Sequence, residues 1–330
     1  MKDFRKFKSV LHIEKKQLYF FTFATFLVVV LYIVGLFNQT VKNQISNMRL
    51  SSNKIPVFSA NPYPLVSSIL GSKSDISYNS GSFKNISAEA ALIMDDDSKV
   101  ILFSKNENLR FSMASTTKIM TALTALDYYK LDDVLTVKTR NVEGSIIGLK
   151  IGEKLLFRDL LYAMLLPSGN DAAMSIAQNY PGGEEEFIKK MNEKAISFSL
   201  YNTKFSDPTG LSDDGDYTTI KDLARLSSIA MENEIFQEVV STKEKTVTNI
   251  SGKNTYSLYN LNRLLGTDGV DGIKTGYTDI AGGVLTTSRS ENGHKLIIVV
   301  MSSKDRFLDT QRLLSLTGGK INYINIRANF

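Results

Sequence analysis

Twenty consecutive uncharged residues, LYFFTFATFLVVVLYIVGLF at 18–37, constrain this chain more than any other feature. At 1.5 Å per residue, a helix of that length measures about 30 Å, the thickness of a bilayer's hydrocarbon core. A buried helix of a soluble domain would carry a polar face, and here only two threonines interrupt the apolar run. A cleaved signal peptide has a shorter apolar core and a small-x-small site, whereas Phe37-Asn38-Gln39-Thr40 follows this one. Residues 18–37 therefore read as an uncleaved transmembrane signal anchor.

Charge sets its direction. Residues 1–17 carry Lys2, Arg5, Lys6, Lys8, Lys15 and Lys16 against Asp3 and Glu14, a net +4 of the chain's +5. The next fifteen residues after the span contain only Lys42 and Arg49. The positive-inside bias then predicts a cytoplasmic tail over 1–17 and a single-pass protein of the cell membrane, with everything after residue 37 extracytoplasmic. The basic excess sits on the tail and not on a folded domain, so nucleic acid is not an expected partner. The chain has no cysteine, which excludes disulfides, thiol nucleophiles and thiolate metal sites.

Residues 38–85 are rich in Ser and Asn, carry three prolines between Pro56 and Pro64, and sustain no helical or strand period; they read as an extracytoplasmic linker. Patterning begins near residue 86. AEAALIMD and KVILFSKN flank the turn Asp96-Asp97-Ser98, which predicts a β-hairpin. Helical periodicity dominates from about 113 to 235, most clearly in FRDLLYAMLL, DAAMSIAQNY and TTIKDLARLSSIAMEN. Strand character returns at KTVTNI, GIKTGYT, GGVLTTSRSE and KLIIVVMSS, the last two joined by Asn292-Gly293, and RFLDTQRLLSL closes the pattern as a helix. Strands from both ends of the domain thus bracket a helical middle. The expected fold class is α/β (α+β): one antiparallel sheet packed with helices, a mostly helical subdomain beside it, and a site where the two meet.

Chemistry is narrowed by what the chain lacks. A serine nucleophile needs a base, and the usual one is histidine. The two histidines are His12, in the predicted cytoplasmic tail, and His294, just after a hairpin turn, where an exposed role is expected. No HExxH pattern or histidine cluster suggests a metal, and no cofactor motif is present. Lysine remains as the base. Ser115 and Lys118, in MASTTKIMTAL, stand three apart at the start of an apolar helix and so share a face. Burial and a second cation would lower the lysine pKa toward neutrality. Lys274 of IKTGYTD supplies that cation, with Thr275 beside it as a carboxylate partner and Gly276 permitting close approach to the strand. Ser168 and Asn170 of LLPSGNDAA lie in a loop between two helices, placed to present a hydroxyl and an amide. The S-x-x-K spacing recurs at Ser51 and Lys54, and S-x-N recurs at Ser77, Ser104 and Ser290, but K-T-G occurs once. The evidence is their joint order, each in its expected context of helix start, loop and strand.

With these motifs the chain resembles the penicillin-binding serine D-alanyl-D-alanine carboxypeptidases, the low-molecular-mass penicillin-binding proteins. STTKIMTAL, GEKLLFRDLLYAMLLPSGNDAA, FSDPTGL and DGIKTGYTDIAGGVLTTS carry the likeness, which extends over about 86 to 320 of a domain placed at 86–330. The resemblance implies a β-lactamase/transpeptidase-like fold and an acyl-enzyme on Ser115, formed from peptidoglycan stem peptides ending in D-Ala-D-Ala. It further implies that Lys118 takes the serine proton, that Ser168 relays a proton to the leaving amine, and that Asn170 orients Lys118 and the substrate amide. Lys274, Thr275 and Arg306 would hold the terminal carboxylate, and the backbone N–H groups of Ser115 and Tyr277 would form the oxyanion hole. β-Lactams would be covalent inhibitors. The chain departs from the family at Asp216, before Tyr217, where histidine is common. It also ends soon after the last helix, where many relatives continue into a β-rich domain and a C-terminal amphipathic anchor. Alternatives are a DD-endopeptidase using the same residues, a β-lactamase, or a non-catalytic peptidoglycan-binding protein. A class A β-lactamase would need an E-x-x-x-N pattern between 168 and 274, which is lacking.

Overall fold

The computed structural model describes residues 54–58, 86–138, 142–212 and 215–325. The tail at 1–17, the span at 18–37 and most of the linker at 38–85 lie outside the described residues, as does Ser51. Among the described residues, no helix is long and apolar enough to cross a membrane. Within the stretch expected to be a linker, Lys54–Phe58 instead pairs with Ile321–Asn325 in a two-stranded ladder. Pro56 and the surrounding polar residues mask its short period.

Five strands form the central sheet: β1 (Ala90–Asp95), β2 (Ile101–Lys105), β3 (Val270–Thr278), β4 (Gly282–Glu291) and β5 (His294–Ser303). Their order is β3-β4-β5-β1-β2, antiparallel throughout, so the N-terminal hairpin completes a sheet begun by the C-terminal strands. Both predicted hairpins form, at Asp96-Asp97-Ser98 and at Asn292-Gly293.

Both faces of the sheet are covered, which explains why β1 and β5 read as continuous apolar runs. Ala90, Leu92 and Met94 of β1, with Ile297, Val299 and Met301 of β5, face the larger core shared with the helical region. Ala91, Ile93, Ile298 and Val300 point the other way, into a smaller core with Leu313 and Leu314. Strict alternation divides the strands between two cores.

Seven α-helices are described: α1 (Lys118–Leu126), α2 (Phe157–Leu165), α3 (Asn170–Asn179), α4 (Gly183–Ser197), α5 (Ile220–Met231), α6 (Glu234–Ser241) and α7 (Arg306–Thr317). Helix α7 covers one sheet face against β4 and β5. Its first turn is capped by Asp305, whose carboxylate accepts from the backbone N–H groups of Phe307 and Leu308. Helices α5 and α6 lie on the opposite face. Helix α1 packs among α2, α3, α4 and α5, and Ile119, Met120, Ala122 and Ala125 are fully buried. This placement matters for the site. The one-turn 3-10 segment Ala114–Thr117 that leads into α1 touches both β3 and β4.

Candidate active site

Ser115 sits in that 3-10 turn, and Lys118 is the first residue of α1. The i, i+3 spacing brings Lys118 Nζ to 3.0 Å from Ser115 Oγ. Lys118 has no solvent-exposed surface. Its Nζ donates to Asn170 Oδ1 at 2.6 Å and to the Thr209 carbonyl at 2.7 Å. Three directed partners therefore surround one buried nitrogen. Burial holds the Lys118 pKa well below its ordinary value, and the Lys274 charge lowers it further, against the carboxylates of Asp207 and Asp171. A neutral amine 3.0 Å from a serine hydroxyl is arranged to accept its proton.

Strand β3 is one of the two edge strands of the sheet, and it passes directly over the start of α1. A side-chain carbon at Gly276 would stand 2.9 Å from Ser115 N and 3.0 Å from Ala114 Cβ, so only glycine admits this approach. Lys274, on the same strand, is buried, with Nζ 3.0 Å from Ser168 Oγ and 3.0 Å from the Thr275 carbonyl. Burial, then the charge of Arg306, bring the Lys274 pKa down to about 7. Arg306, at the start of α7, donates from Nε to Thr275 Oγ1 at 2.8 Å. Lys274, Thr275 and Arg306 thus make a cationic, hydroxyl-bearing group of the kind that binds a carboxylate. Tyr277 is largely exposed at the cleft edge.

The structure brings the three motifs together. Ser168 and Asn170 arrive from the α2–α3 connection, Ser168 in a left-handed conformation (φ 66°) and Asn170 as the first residue of α3. His294 lies instead beside the hairpin turn, with Nδ1 3.1 Å from Asp97 Oδ2. With 13% of its side chain exposed, it is more covered than the expected exposed histidine.

One contributor was not assigned from sequence. The turn Asp207-Pro208-Thr209-Gly210 supplies the Thr209 carbonyl to Lys118 and the Pro208 carbonyl to Thr121 Oγ1. The Asp207 carboxylate shapes the turn by accepting from Thr209 N, Thr209 Oγ1, Gly210 N and Ser212 N. FSDPTGL announces a turn, but a carbonyl has no residue signature. Its aim is set by the backbone alone.

Asp216 lies beside this turn. It is buried, Oδ1 accepts from Ser206 N, and Oδ2 has no hydrogen-bond partner among the described residues. Burial first, then the Asp207 charge, raise its pKa from 3.8 to about 8. A proton bound more tightly in the folded state stabilises it in full below the unfolded value, and this contribution is lost as pH rises through about 8. Asp216→Asn, which needs no proton, is expected to gain on the native protein by up to about 1 kcal/mol per pH unit between pH 5 and 8. Parallel melting-temperature profiles across that range would contradict this.

Residues 77–305 match the model of a peptidase family described as D-alanyl-D-alanine carboxypeptidase. The chain belongs to that family. Its members are serine hydrolases, and the chain is an enzyme of that class. It is 36% identical over 238 residues to a D-alanyl-D-alanine carboxypeptidase of Bacillus subtilis, a match covering 69% of this chain and 61% of that relative. The match therefore spans less than two thirds of the Bacillus protein. Identity to a D-alanyl-D-alanine endopeptidase of Pseudomonas aeruginosa is 34%, over 70% of this chain and 77% of the relative. Among solved structures, the DD-transpeptidase of a Streptomyces strain superposes with a TM-score of 0.67 at 31% identity, covering 71% of this chain and 98% of the other. The likeness extends to the antiparallel sheet and its flanking helices.

Proposed function

We propose that this protein is a serine-type D-Ala-D-Ala carboxypeptidase that removes the terminal D-alanine from peptidoglycan stem peptides through an acyl-enzyme on Ser115. The observation that carries the reading is the buried Lys118 amine, held between Ser115 Oγ, Asn170 Oδ1 and the Thr209 carbonyl. Neutral Lys118 takes the hydroxyl proton as Ser115 Oγ attacks the carbonyl of the penultimate D-alanine. The C–N bond breaks, and the departing amine receives a proton through Ser168, 3.0 Å from Lys274. Lys274, Thr275 and Arg306 hold the free carboxylate of the terminal residue. Backbone N–H groups of Ser115 and Tyr277 receive the developing oxyanion, with the Gly276 approach keeping strand and helix start together. Water then releases the shortened peptide and restores the serine.

A β-lactam, whose strained amide imitates the D-Ala-D-Ala end, acylates the same hydroxyl. In this reading residues 18–37 anchor the catalytic domain outside the cytoplasmic membrane. A second reading, endopeptidase cleavage of cross-links, is favoured by the likeness to the Pseudomonas protein, and the same residues serve it.

The test uses the full chain in detergent. Fluorescent penicillin is expected to label the native protein and leave Ser115→Ala unlabelled; equal labelling of both sinks the assignment. D-Alanine release from a stem pentapeptide is expected to outpace scission of cross-linked dimers, and the reverse ranking would make the protein an endopeptidase.

A further inference from the structure

The acceptor that meets Lys118 is one end of an amide that must be held from rotating. Asn170 is almost fully buried, and its Oδ1 faces Lys118 at 2.6 Å. Its other end, Nδ2, donates to the Glu143 carbonyl at 2.7 Å, and its backbone N–H donates to the Ser145 carbonyl at 2.7 Å. A carbonyl can only accept, so the Glu143 contact dictates which amide atom turns toward the lysine. Rotation by half a turn would oppose two oxygens at Glu143 and two donors at Lys118.

The carbonyls that impose this orientation lie in a stretch without helix or strand, 142–150, so something must hold that stretch in place. The next residue after Asn170 does so. Asp171 is buried, and its carboxylate accepts from three successive backbone N–H groups: Ile147 at 3.2 Å, Gly148 at 2.9 Å and Leu149 at 3.0 Å. Charge-assisted contacts of this kind are among the stronger hydrogen bonds. Ser145 Oγ adds a bond to the Pro167 carbonyl at 2.8 Å.

We propose that Asp171 is a positioning residue for acylation: it clasps segment 143–149 against the start of α3, and the clasped segment locks the Asn170 amide with its oxygen on Lys118. The inference rests on the Ser115–Lys118 reading above. Asp171 makes no hydrogen bond to Ser115 or Lys118; it holds the Asn170 amide by way of the clasped segment. Its carboxylate also counts among the charges that favour the protonated form of Lys118. Loss of the carboxylate therefore has two separable consequences. The amide is released, which slows acylation, and Lys118 loses its proton at lower pH, which moves the acidic limb of the rate profile downward.

Gly144 gives an independent handle on the same amide. Its φ is +76°, and a side-chain carbon there would stand 2.8 Å from Asn170 Nδ2. Gly144→Ala pushes on the amide from a residue whose added carbon meets Asn170 and Leu211 and removes no Asp171 carboxylate oxygen.

The experiment measures the second-order rate of labelling by fluorescent penicillin from pH 5 to 9, together with final labelled fraction and melting temperature. Asp171→Ala is expected to slow labelling by about tenfold or more per labelled site, with the acidic limb displaced to lower pH. Asp171→Asn keeps one oxygen for Gly148 and Leu149; it is expected to recover to within about threefold of the native rate while retaining the displaced limb. Gly144→Ala is expected to be slow with the limb unmoved. A purely structural role would reduce the labelled fraction and leave both the rate per labelled site and the limb unchanged; that result overturns the proposal. Native rates in both Asp171→Ala and Gly144→Ala overturn it as well. If Asp171→Ala shows no cooperative melting, Gly144→Ala decides. Labelling of Ser115→Ala in the same series would instead refute the underlying assignment, so the two failures are distinguishable.

Discussion

Replacing Lys118 with alanine is expected to slow penicillin acylation by about 10²–10⁴-fold, the usual contribution of a positioned proton acceptor. The lysine is fully buried, and its nitrogen has three partners, one of them the Ser115 hydroxyl. Without the amine, the hydroxyl must give its proton to water. Asn170 Oδ1 and the Thr209 carbonyl also lose a shared donor, and each unsatisfied buried acceptor costs about 1–3 kcal/mol. A loss of stability should therefore accompany the loss of rate, and the rate must be scored per folded molecule. Lys118→Arg separates proton acceptance from charge. The guanidinium keeps its charge at any working pH, so it cannot act as the base. Both variants should be similarly slow. Arginine acylating within tenfold of the native enzyme would show that a fixed positive charge suffices, and Lys118 would not be the base.

Gly210→Ala is expected to destabilise the domain by about 4 kcal/mol or more, among the largest effects open to a single methyl group. Gly210 adopts φ +82°, and a side-chain carbon there would lie 1.9 Å from the carbonyl oxygen of Ala114 and 2.5 Å from its carbon. These are backbone atoms of the residue immediately before Ser115. They cannot swing aside as a side chain does, so the turn and the start of α1 must part. The turn carries the Thr209 carbonyl, so the same methyl group withdraws an acceptor from Lys118. Urea midpoints measure the first effect and penicillin labelling rates the second. Gly252→Ala is the control, because Gly252 has φ +71° with nothing within 4 Å of the added carbon. It imposes similar backbone strain without the collision, at about 1 kcal/mol. Equal losses from the two substitutions would mean that backbone strain, and not the approach to Ala114, makes glycine necessary at 210.

The elements that sequence periodicity made legible are those buried in a regular way. The helix over FRDLLYAMLL is observed as Phe157–Leu165, and GGVLTTSRSE is the strand Gly282–Glu291. Helix α4 was harder to single out, because only Phe187, Met191 and Ala195 of its fifteen residues are buried. That is a narrow stripe on a charged cylinder. The two-residue ladder of Arg110–Phe111 with Thr218–Thr219 is too short to have a period at all. In the site, Ser115 and Lys118 were legible because a helix forces residues three apart onto one face. Ser168, Asn170 and Lys274 were legible through the order of three motifs. The roles of Asp171 and of the Glu143, Ser145 and Thr209 carbonyls were not, because they depend on where a loop's backbone happens to point.

By itself the sequence determined the reagents. It holds a serine three residues before a lysine at a helix start, no histidine suited to serve as base, a single K-T-G strand, and no thiol. Those facts point to lysine-assisted serine chemistry. Only the tertiary structure decided that this lysine is suited to the task. Its environment comes from residues 52 and 91 positions away, from a second buried lysine on the sheet edge, and from the complete burial of its side chain. The reason is physical: proton affinity is set by burial and neighbouring charge, and both are properties of the packed fold and not of the residue type.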